Sequence, residues 1–194
     1  APLAVAVGLG ASTLCTAASE VAALVMPAFA LLAGCGLVVP FRLRALAPEA
    51  WRTFAEHVPA ARRDDLLGAY WDLFHSDDEA AAHAAAKVWA TYEGSACTLL
   101  PNAEFLSLLT NDQTSWALAR LEAHYLRNQR FSPDDRLLRD VDRIRHIPAM
   151  IVHGRYDLVC PLVGADDLHR AWPEASYAIV DDAGHSSHEP GIAR

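Results

Sequence analysis

The chain has 194 residues, of which 53% are hydrophobic and 21% are charged, and its formal net charge is −8. This composition is typical of a globular protein with a buried core and excludes an intrinsically disordered chain. The negative charge argues against nucleic acid as a partner, because no cluster of lysine and arginine is available to neutralise a row of phosphates.

The first zone, residues 1–40, is strongly apolar. It opens with a strand-like stretch, Leu3–Val7, and a glycine-rich turn. The run Val21–Val39 has no charged residue and is long enough to span a bilayer. Buried parallel strands and the helices beside them produce similar runs, and no basic residue precedes this one as in a signal peptide. A buried core segment is therefore the preferred interpretation, and a membrane anchor is the alternative.

The second zone, about 46–140, has the periodicity of amphipathic helices. Four helices are predicted there: one from Pro48 to before Pro59, one over Leu66–Phe74, one that begins at the capping sequence Ser76–Glu79 and ends at Gly94, and one over Thr114–Asn128. No repeat or low-complexity linker interrupts the zone.

In the third zone, 146–194, the spacing of apolar residues no longer follows the helical period of the second zone. Ala149–His153 and Ser176–Val180 are predicted to be strands, with a helix between them from Pro161 to Trp172. A strand, a helix and a strand within so few residues predict a βαβ unit, whose two strands must be parallel.

The βαβ unit places an acid and a base at the same edge of the sheet. Asp157 follows the first strand and His185 follows the second, and parallel strands end at one edge. A carboxylate there would accept the Nδ1 proton of His185, fix its tautomer and stabilise the imidazolium. The alternative is an Asp that caps a helix and a His in an unrelated loop.

Acid before base near the end of a chain is the order found in α/β-hydrolases, where a serine on an upstream strand-to-helix turn is the nucleophile. The one upstream strand–turn–helix pattern is Leu3–Leu14. Ser12 lies in this stretch, with Gly10 two residues before it but Leu14 two residues after it, where the turn favours a small residue.

Several stretches together resemble the proline iminopeptidases (prolyl aminopeptidases), which are α/β-hydrolases with a helical cap. The similar stretches are Val88–Gly94, Ala119–Leu126, Ile151–Asp157 with Cys160-Pro161, and Ala183–Ser186, in the order and at the spacing of the family. The resemblance covers roughly residues 46–190 of what looks like the carboxyl-terminal two-thirds of such an enzyme. It implies that Asp157 and His185 are the acid and base of a catalytic triad.

The resemblance also implies a substrate clamp. The family uses two cap glutamates to hold the free amino terminus of the peptide, and they correspond to Glu93 and Glu122. The residue pattern agrees for Glu122, because Leu118, Leu121 and Tyr125 share its helical spacing and would place its carboxylate in an apolar stripe. Aromatic residues nearby, Trp89, Tyr92 or Trp116, could pack the pyrrolidine ring, although a core role is the more common one for such side chains.

The sequence departs from the family at the nucleophile. Gly8–Leu14 matches only the end of the family's nucleophile turn. The position of the family's nucleophile therefore falls on Leu9, and Ser12 corresponds to the family's second serine. The family's histidine–glycine–proline loop, which supplies an oxyanion donor, would lie before Ala1. Ser12 is therefore a weak candidate for the nucleophile, and this chain is expected to be a fragment or altered copy that can lack activity.

Four cysteines have no paired spacing: Cys15, Cys35, Cys97 and Cys160. We expect them to be buried thiols of a cytoplasmic protein rather than a disulfide framework. His185-Ser-Ser-His188 followed by Glu189 resembles part of a zinc site, but no further ligand follows at a suitable spacing. The sequence thus predicts neither a metal nor another cofactor.

The expected architecture is α/β, a partial α/β-hydrolase parallel sheet with an inserted helical cap. Residues 1–45 would begin the hydrolase core, 46–145 would form the cap, and 146–194 would complete the core. The expected function is a serine-type aminopeptidase that releases proline from the amino terminus of peptides. The alternatives are a non-catalytic binder of peptide amino termini and a membrane-anchored helical protein. The oligomeric state is not predicted.

Overall fold

The computed structural model describes residues 3–6, 39–128 and 136–194. These residues divide between two compact units. The described parts of the first unit are 3–6, 97–99 and 136–194, and those of the second are 39–96 and 100–128. Each unit is described by itself below.

The first unit contains a parallel sheet of three strands: β1 (Leu3–Ala6), β2 (Ala149–Gly154) and β3 (Ser176–Val180). β2 lies in the middle, with Leu3 of β1 beside Ala149 and Ser176 of β3 beside Met150. The sequence expectation of a parallel strand–helix–strand unit is confirmed, since helix Leu162–Ala171 connects β2 to β3. The chain is thus helix-rich with a small parallel sheet, and its more specific fold class is taken up below.

One face of β2 forms the core of this unit. Ala149 and Ile151 are buried while Met150 between them is exposed, as the alternation of side chains along a strand requires. Apolar residues from the neighbouring helices and from the residues that follow them cover the buried face: Leu137, Val141, Ile144, Ala165, Leu168 and Trp172. This packing holds β2 in position and so determines where its carboxyl end and the following loop lie within the unit.

The described residues contain nine α-helices. They are α1 (Val39–Leu46), α2 (Pro48–Glu56), α3 (Leu66–Phe74), α4 (Glu79–Cys97), α5 (Ala103–Thr110), α6 (Asp112–Arg127), α7 (Arg136–Asp140), α8 (Leu162–Ala171) and α9 (Pro190–Ala193). Short 3-10 turns lie at Ala60–Asp65 and Val141–Arg143. The four helices predicted for the second zone correspond to α2, α3, α4 and α6; α1, α5 and α7 were not predicted.

Two predicted signals in α4 act differently from the expectation. Ser76 does not cap the helix; Asp78 does, because its Oδ1 accepts the Ala81 N–H at 3.0 Å, while the Ser76 hydroxyl accepts the Asp78 N–H. Gly94 does not end the helix either, since α4 continues to Cys97. A Cβ on Gly94 would lie 2.9 Å from Cδ1 of Leu106, so the glycine instead allows α5 to approach closely.

The buried face of α6 also differs from the predicted stripe. Leu121 is 58% exposed, whereas Ser115, Ala119 and Ala123 are buried. These three residues recur at the i, i+4, i+8 spacing of one helical face. Their small side chains permit close packing and leave Glu122 at the margin of the buried face.

The apolar run Val21–Val39 lies, apart from Val39, outside the described residues, and the same holds for Leu9 and Ser12. Within the part of the chain that the structure describes, no helix combines the length and the apolar character needed to cross a membrane.

Gly154 ends β2 at a point where the loops after β2 and β3 meet. A Cβ at this position would overlap the carbonyl oxygens of Ala183 and Gly184. We expect Gly154→Ala to lower the free energy of unfolding by about 1–3 kcal/mol, the usual range for overpacking. Gly164 of α8 has open space around it, so Gly164→Ala should instead stabilise by up to about 1 kcal/mol. Urea unfolding of both variants measures the contrast, and equal stability of Gly154→Ala and the parent would contradict it.

Candidate active site

Asp157 and His185 meet where the loops after β2 and β3 come together. Backbone hydrogen bonds hold the two loops in register: the Arg155 N–H donates to the Val180 carbonyl at 2.9 Å, and the Tyr156 N–H donates to the Ala183 carbonyl at 3.0 Å. His185 Nδ1 lies 2.9 Å from Oδ2 of Asp157. Both residues are buried, each with 6% of its surface exposed.

Three N–H donors face the Asp157 carboxylate. Oδ1 accepts the Cys160 N–H at 2.7 Å. Oδ2 accepts from His185 Nδ1 and lies 3.2 Å from Nε2 of His153. Burial by itself would raise the pKa of Asp157, but the hydrogen bonds from His153, His185 and Cys160 outweigh it and lower the pKa below its ordinary value. The group is therefore a carboxylate at neutral pH.

This arrangement determines what His185 can do chemically. Because Asp157 only accepts hydrogen bonds, Nδ1 of His185 carries a proton, and Nε2 is the nitrogen that can accept another one. An imidazolium formed in this way would lie beside a buried negative charge that stabilises it. The pair thus has the geometry of a general base and the group that orients it.

Glu189 fastens the loop that carries His185. Its carboxylate accepts the Gly184 N–H at 3.1 Å through Oε2 and the Leu99 N–H through Oε1. The Cys97 carbonyl accepts the N–H groups of both His185 and Ser186, at 2.9 and 2.7 Å. Residues 97–99 and the His185 loop, which belong to the same unit, are therefore joined on both sides of the histidine.

Removing the Glu189 carboxylate would leave two backbone N–H groups without an acceptor. We expect Glu189→Ala to lower the free energy of unfolding by about 1–3 kcal/mol, and a guanidinium titration measures it. The control is Glu56→Ala, which removes an exposed carboxylate from the last turn of α2. A loss no larger than that of the control would mean that Glu189 does not hold the loop.

A pair of glutamates lies in the helical unit. Glu93 on α4 and Glu122 on α6 are close enough for their carboxyl groups to share a hydrogen bond. The indole Nε1–H of Trp89 donates to Oε2 of Glu122 at 2.7 Å. Burial raises the pKa of Glu122 well above its usual range, and the negative charge of Glu93 and the hydrogen bond between the two groups raise it further. The Trp89 hydrogen bond offsets only part of this effect.

Aromatic residues form the core beside this carboxyl pair. Phe54 stacks on Tyr70 and Tyr92 with ring centroids 4.5 and 4.4 Å apart, and Trp89 meets the edge of Tyr70 at 5.4 Å. Trp116 instead stacks on His83, with centroids 4.5 Å apart. Trp89 thus both packs in this core and contacts a predicted clamp residue.

The structure also brings Cys160 to the acid–base pair. Oxygen, sulfur and nitrogen atoms of Asp157, Cys160 and His185 lie within 4.8 Å of one another, a grouping that could hold a metal ion. Both Asp157 oxygens already accept N–H hydrogen bonds, and a metal would have to displace them, so we assign this cluster to proton transfer. The zinc pattern weighed from the sequence does not form, because Glu189 binds backbone N–H groups and His188 is exposed.

Sequence reasoning assigned no role to the buried His153 and considered the buried Glu189 only as part of a zinc pattern. A histidine within an otherwise apolar strand was the available signal for His153, since a buried polar group needs a partner. Glu189 gave no comparable signal because its partners are backbone N–H groups distant in sequence. Ser12 and Leu9, the two candidates for the nucleophile position, lie outside the described residues.

No family model matches the chain. It is 46% identical over 151 residues to a proline iminopeptidase of Arabidopsis thaliana, which covers 77% of this chain and 40% of the plant protein. It is 46% identical over 146 residues to the proline iminopeptidase of Xylella fastidiosa strain Temecula1, covering 75% of this chain and 47% of that protein. It is 43% identical over 146 residues to a probable proline iminopeptidase of Leptolyngbya boryana, covering 75% and 46%.

The chain therefore matches somewhat less than half the length of these curated relatives. Identity at this level over three quarters of the chain agrees with the resemblance drawn from the sequence stretches above. The matched part of the chain belongs to the proline iminopeptidase family.

Proposed function

We propose that this chain is part of a serine-type prolyl aminopeptidase, which releases proline from the amino terminus of peptides. The buried hydrogen bond between His185 Nδ1 and Asp157 Oδ2 carries the proposal. The names of the relatives support the peptidase over the two alternatives, a non-catalytic binder and a membrane-anchored protein.

The proposed architecture is a partial α/β-hydrolase sheet with a helical cap inserted into it. The unit with the parallel strands has the strand–helix–strand order of such a core. The other unit consists of helices, as a cap would. Residues 1–45 and 146–194 then belong to the core and 46–145 to the cap. Of the described residues, 39–45 fall in the helical unit, whereas 97–99 and 136–145 fall in the unit with the sheet.

In the proposed reaction, His185 accepts the proton of a serine hydroxyl at Nε2 while the serine oxygen attacks the carbonyl carbon of the amino-terminal proline. The imidazolium then gives this proton to the leaving amine, and an acyl-enzyme remains. Water, deprotonated by the same histidine, hydrolyses the ester and frees the proline. Asp157 keeps Nδ1 protonated throughout and stabilises the imidazolium.

Glu93 and Glu122 are the proposed clamp for the prolyl ammonium. A secondary ammonium has two N–H donors, and two converging carboxyl groups can each accept one of them. Burial raises the pKa of Glu122, and the nearby charge of Glu93 raises it further, because two carboxyl groups this close are unfavourable without a cation. A bound ammonium supplies the missing positive charge, and an N-acetylated peptide does not.

The nucleophile decides whether this chain is active by itself. Hydrolysis of a chromogenic proline anilide by the purified chain tests the proposal, with Ser12→Ala as the variant and Ser107→Ala, an exposed serine of α5, as the control. Hydrolysis that only Ser12→Ala abolishes would identify Ser12 as the nucleophile, and hydrolysis that survives would exclude it. A folded chain without hydrolysis would contradict an aminopeptidase activity of this chain.

A further inference from the structure

His153 is a buried histidine on β2 that the reaction described above does not use. Only 1% of its surface is exposed. It lies two residues after Ile151, and residues two apart share a face of a strand, so it extends the buried face of β2 toward the loop of Asp157. An imidazole in such a position is costly to bury unless hydrogen bonds compensate for the lost water.

The contacts of His153 fix which nitrogen carries its proton. Nε2 lies 2.8 Å from the Cys160 carbonyl oxygen and 3.2 Å from Oδ2 of Asp157. Both oxygens are acceptors, so Nε2 must be the donor. Nδ1 is buried and has no hydrogen-bond partner among the described residues. Within the described residues, the ring therefore makes its polar contacts through Nε2.

Oδ2 of Asp157 therefore lies between two imidazoles. His185 contacts it through Nδ1 at 2.9 Å, and His153 contacts it through Nε2 at 3.2 Å. We propose that His153 is a positioning residue that holds the Asp157 carboxylate toward His185 and weakens the negative field that His185 experiences. This inference rests on the proposed function, since it assigns His153 a task within the same proton-transfer site.

The electrostatics of the cluster agree with this arrangement. Burial lowers the pKa of His153, but the hydrogen bond and the charge of Asp157 more than compensate and raise it above its ordinary value. Among the described residues, the titratable side chains near this oxygen of Asp157 include His153 on β2 and Cys160 and His185 in the loops that follow β2 and β3. The N–H group of His153 partly offsets the negative charge of Asp157 that would otherwise act on His185.

NMR of the histidine side chains tests the proposal without requiring hydrolysis. In His153→Leu, which removes the donor and keeps an apolar side chain, the His185 ring should titrate at a higher pH, by on the order of one pH unit. The downfield Nδ1–H resonance of His185 should also broaden, because the carboxylate is less firmly held. In His153→Gln, whose amide N–H can reach the same oxygen, both properties should stay close to those of the parent.

A purely structural role gives a different result. In that case His153→Leu lowers the unfolding temperature but leaves the titration and the Nδ1–H resonance of His185 unchanged, which would overturn the proposal. If His153→Leu does not fold, a His153→Gln spectrum that differs from the parent as much as Asp157→Asn does would also overturn it. Failure of the anilide assay with an intact His185–Asp157 resonance would count against the proposed function and not against His153.

Discussion

Asp157→Asn is expected to lower the free energy of unfolding by about 3 kcal/mol near pH 5.5, the lower end of the range for breaking a buried ion pair. The substitution keeps the shape of the side chain and lets the amide oxygen accept the Cys160 N–H. It removes the negative charge that His153 and His185 both contact. The loss should be smaller near pH 8.5.

The direction of this pH dependence follows from the two shifted groups. The lowered pKa of Asp157 provides stability that is present above the ordinary carboxyl value, about 3.9, and is lost as the pH falls below it. The raised pKa of His153 provides stability that is fully present below about 6.5 and is lost as the pH rises through the folded-state value. Both contributions are present together only at weakly acidic pH.

Urea unfolding at pH 5.5, 7 and 8.5 would measure the effect. Asp167→Asn is the matched control, because Asp167 is an exposed carboxylate on α8, and it should change stability by less than about 0.5 kcal/mol at every pH. An equal loss at all three pH values would show that Asp157 acts through packing or neutral hydrogen bonds rather than through its charge.

Glu122→Gln should have the opposite effect on stability at neutral pH. The glutamine oxygen can still accept the Trp89 indole N–H, and its amide can donate to Glu93, so the repulsion between the two carboxyl groups disappears. We expect a gain of about 1–3 kcal/mol near pH 8, the magnitude associated with a poorly compensated buried polar group. In a chain of this size each kcal/mol raises the unfolding temperature by about 2–4 °C.

The pH dependence again has a definite sign. Because the pKa of Glu122 is raised, the folded parent holds its proton more tightly than the unfolded chain does, and its stability falls as the pH rises above about 4.3. Glutamine does not titrate, so the advantage of Glu122→Gln should be near zero at pH 4.5 and grow toward pH 8. Calorimetric scans at both pH values measure this, with Glu56→Gln as the control for an exposed glutamate.

The same variant tests the role of the carboxyl pair in binding. A peptide that begins with proline should bind the parent more weakly when its terminal nitrogen is acetylated, and Glu122→Gln should remove most of that difference. Titration calorimetry in two buffers of different ionisation enthalpy should also detect proton release as the ammonium binds the parent. Stabilisation without any loss of ammonium binding would contradict the clamp and leave Glu122 as a strained residue of the helical unit.

Much of the local structure followed from the order of residue types. Apolar residues at helical spacing predicted α2, α3, α4 and α6 to within a few residues, because burying one face of a helix imposes that spacing. The alternation of strand, helix and strand over Ala149–Val180 required two parallel strands. From this topology alone, Asp157 and His185 were expected at one edge of the sheet, and they lie 2.9 Å apart.

Other features depended on neighbours that are distant in sequence. The role of Gly94 follows from its approach to α5, and the buried face of α6 follows from small residues that pack closely rather than from its leucines. A one-dimensional pattern cannot distinguish these cases, because an exposed leucine and a buried one have the same spacing.

The sequence by itself determined the helical and strand periods, the parallel βαβ unit and the edge at which the acid and the base emerge, since these are set by local geometry and chain order. Only the tertiary structure decided that Asp157 is shared by two histidines and that Glu189 joins the His185 loop to residues 97–99. A buried polar group is stable only when particular donors and acceptors surround it. Those partners are brought together by packing between segments, which the linear order of residues does not specify.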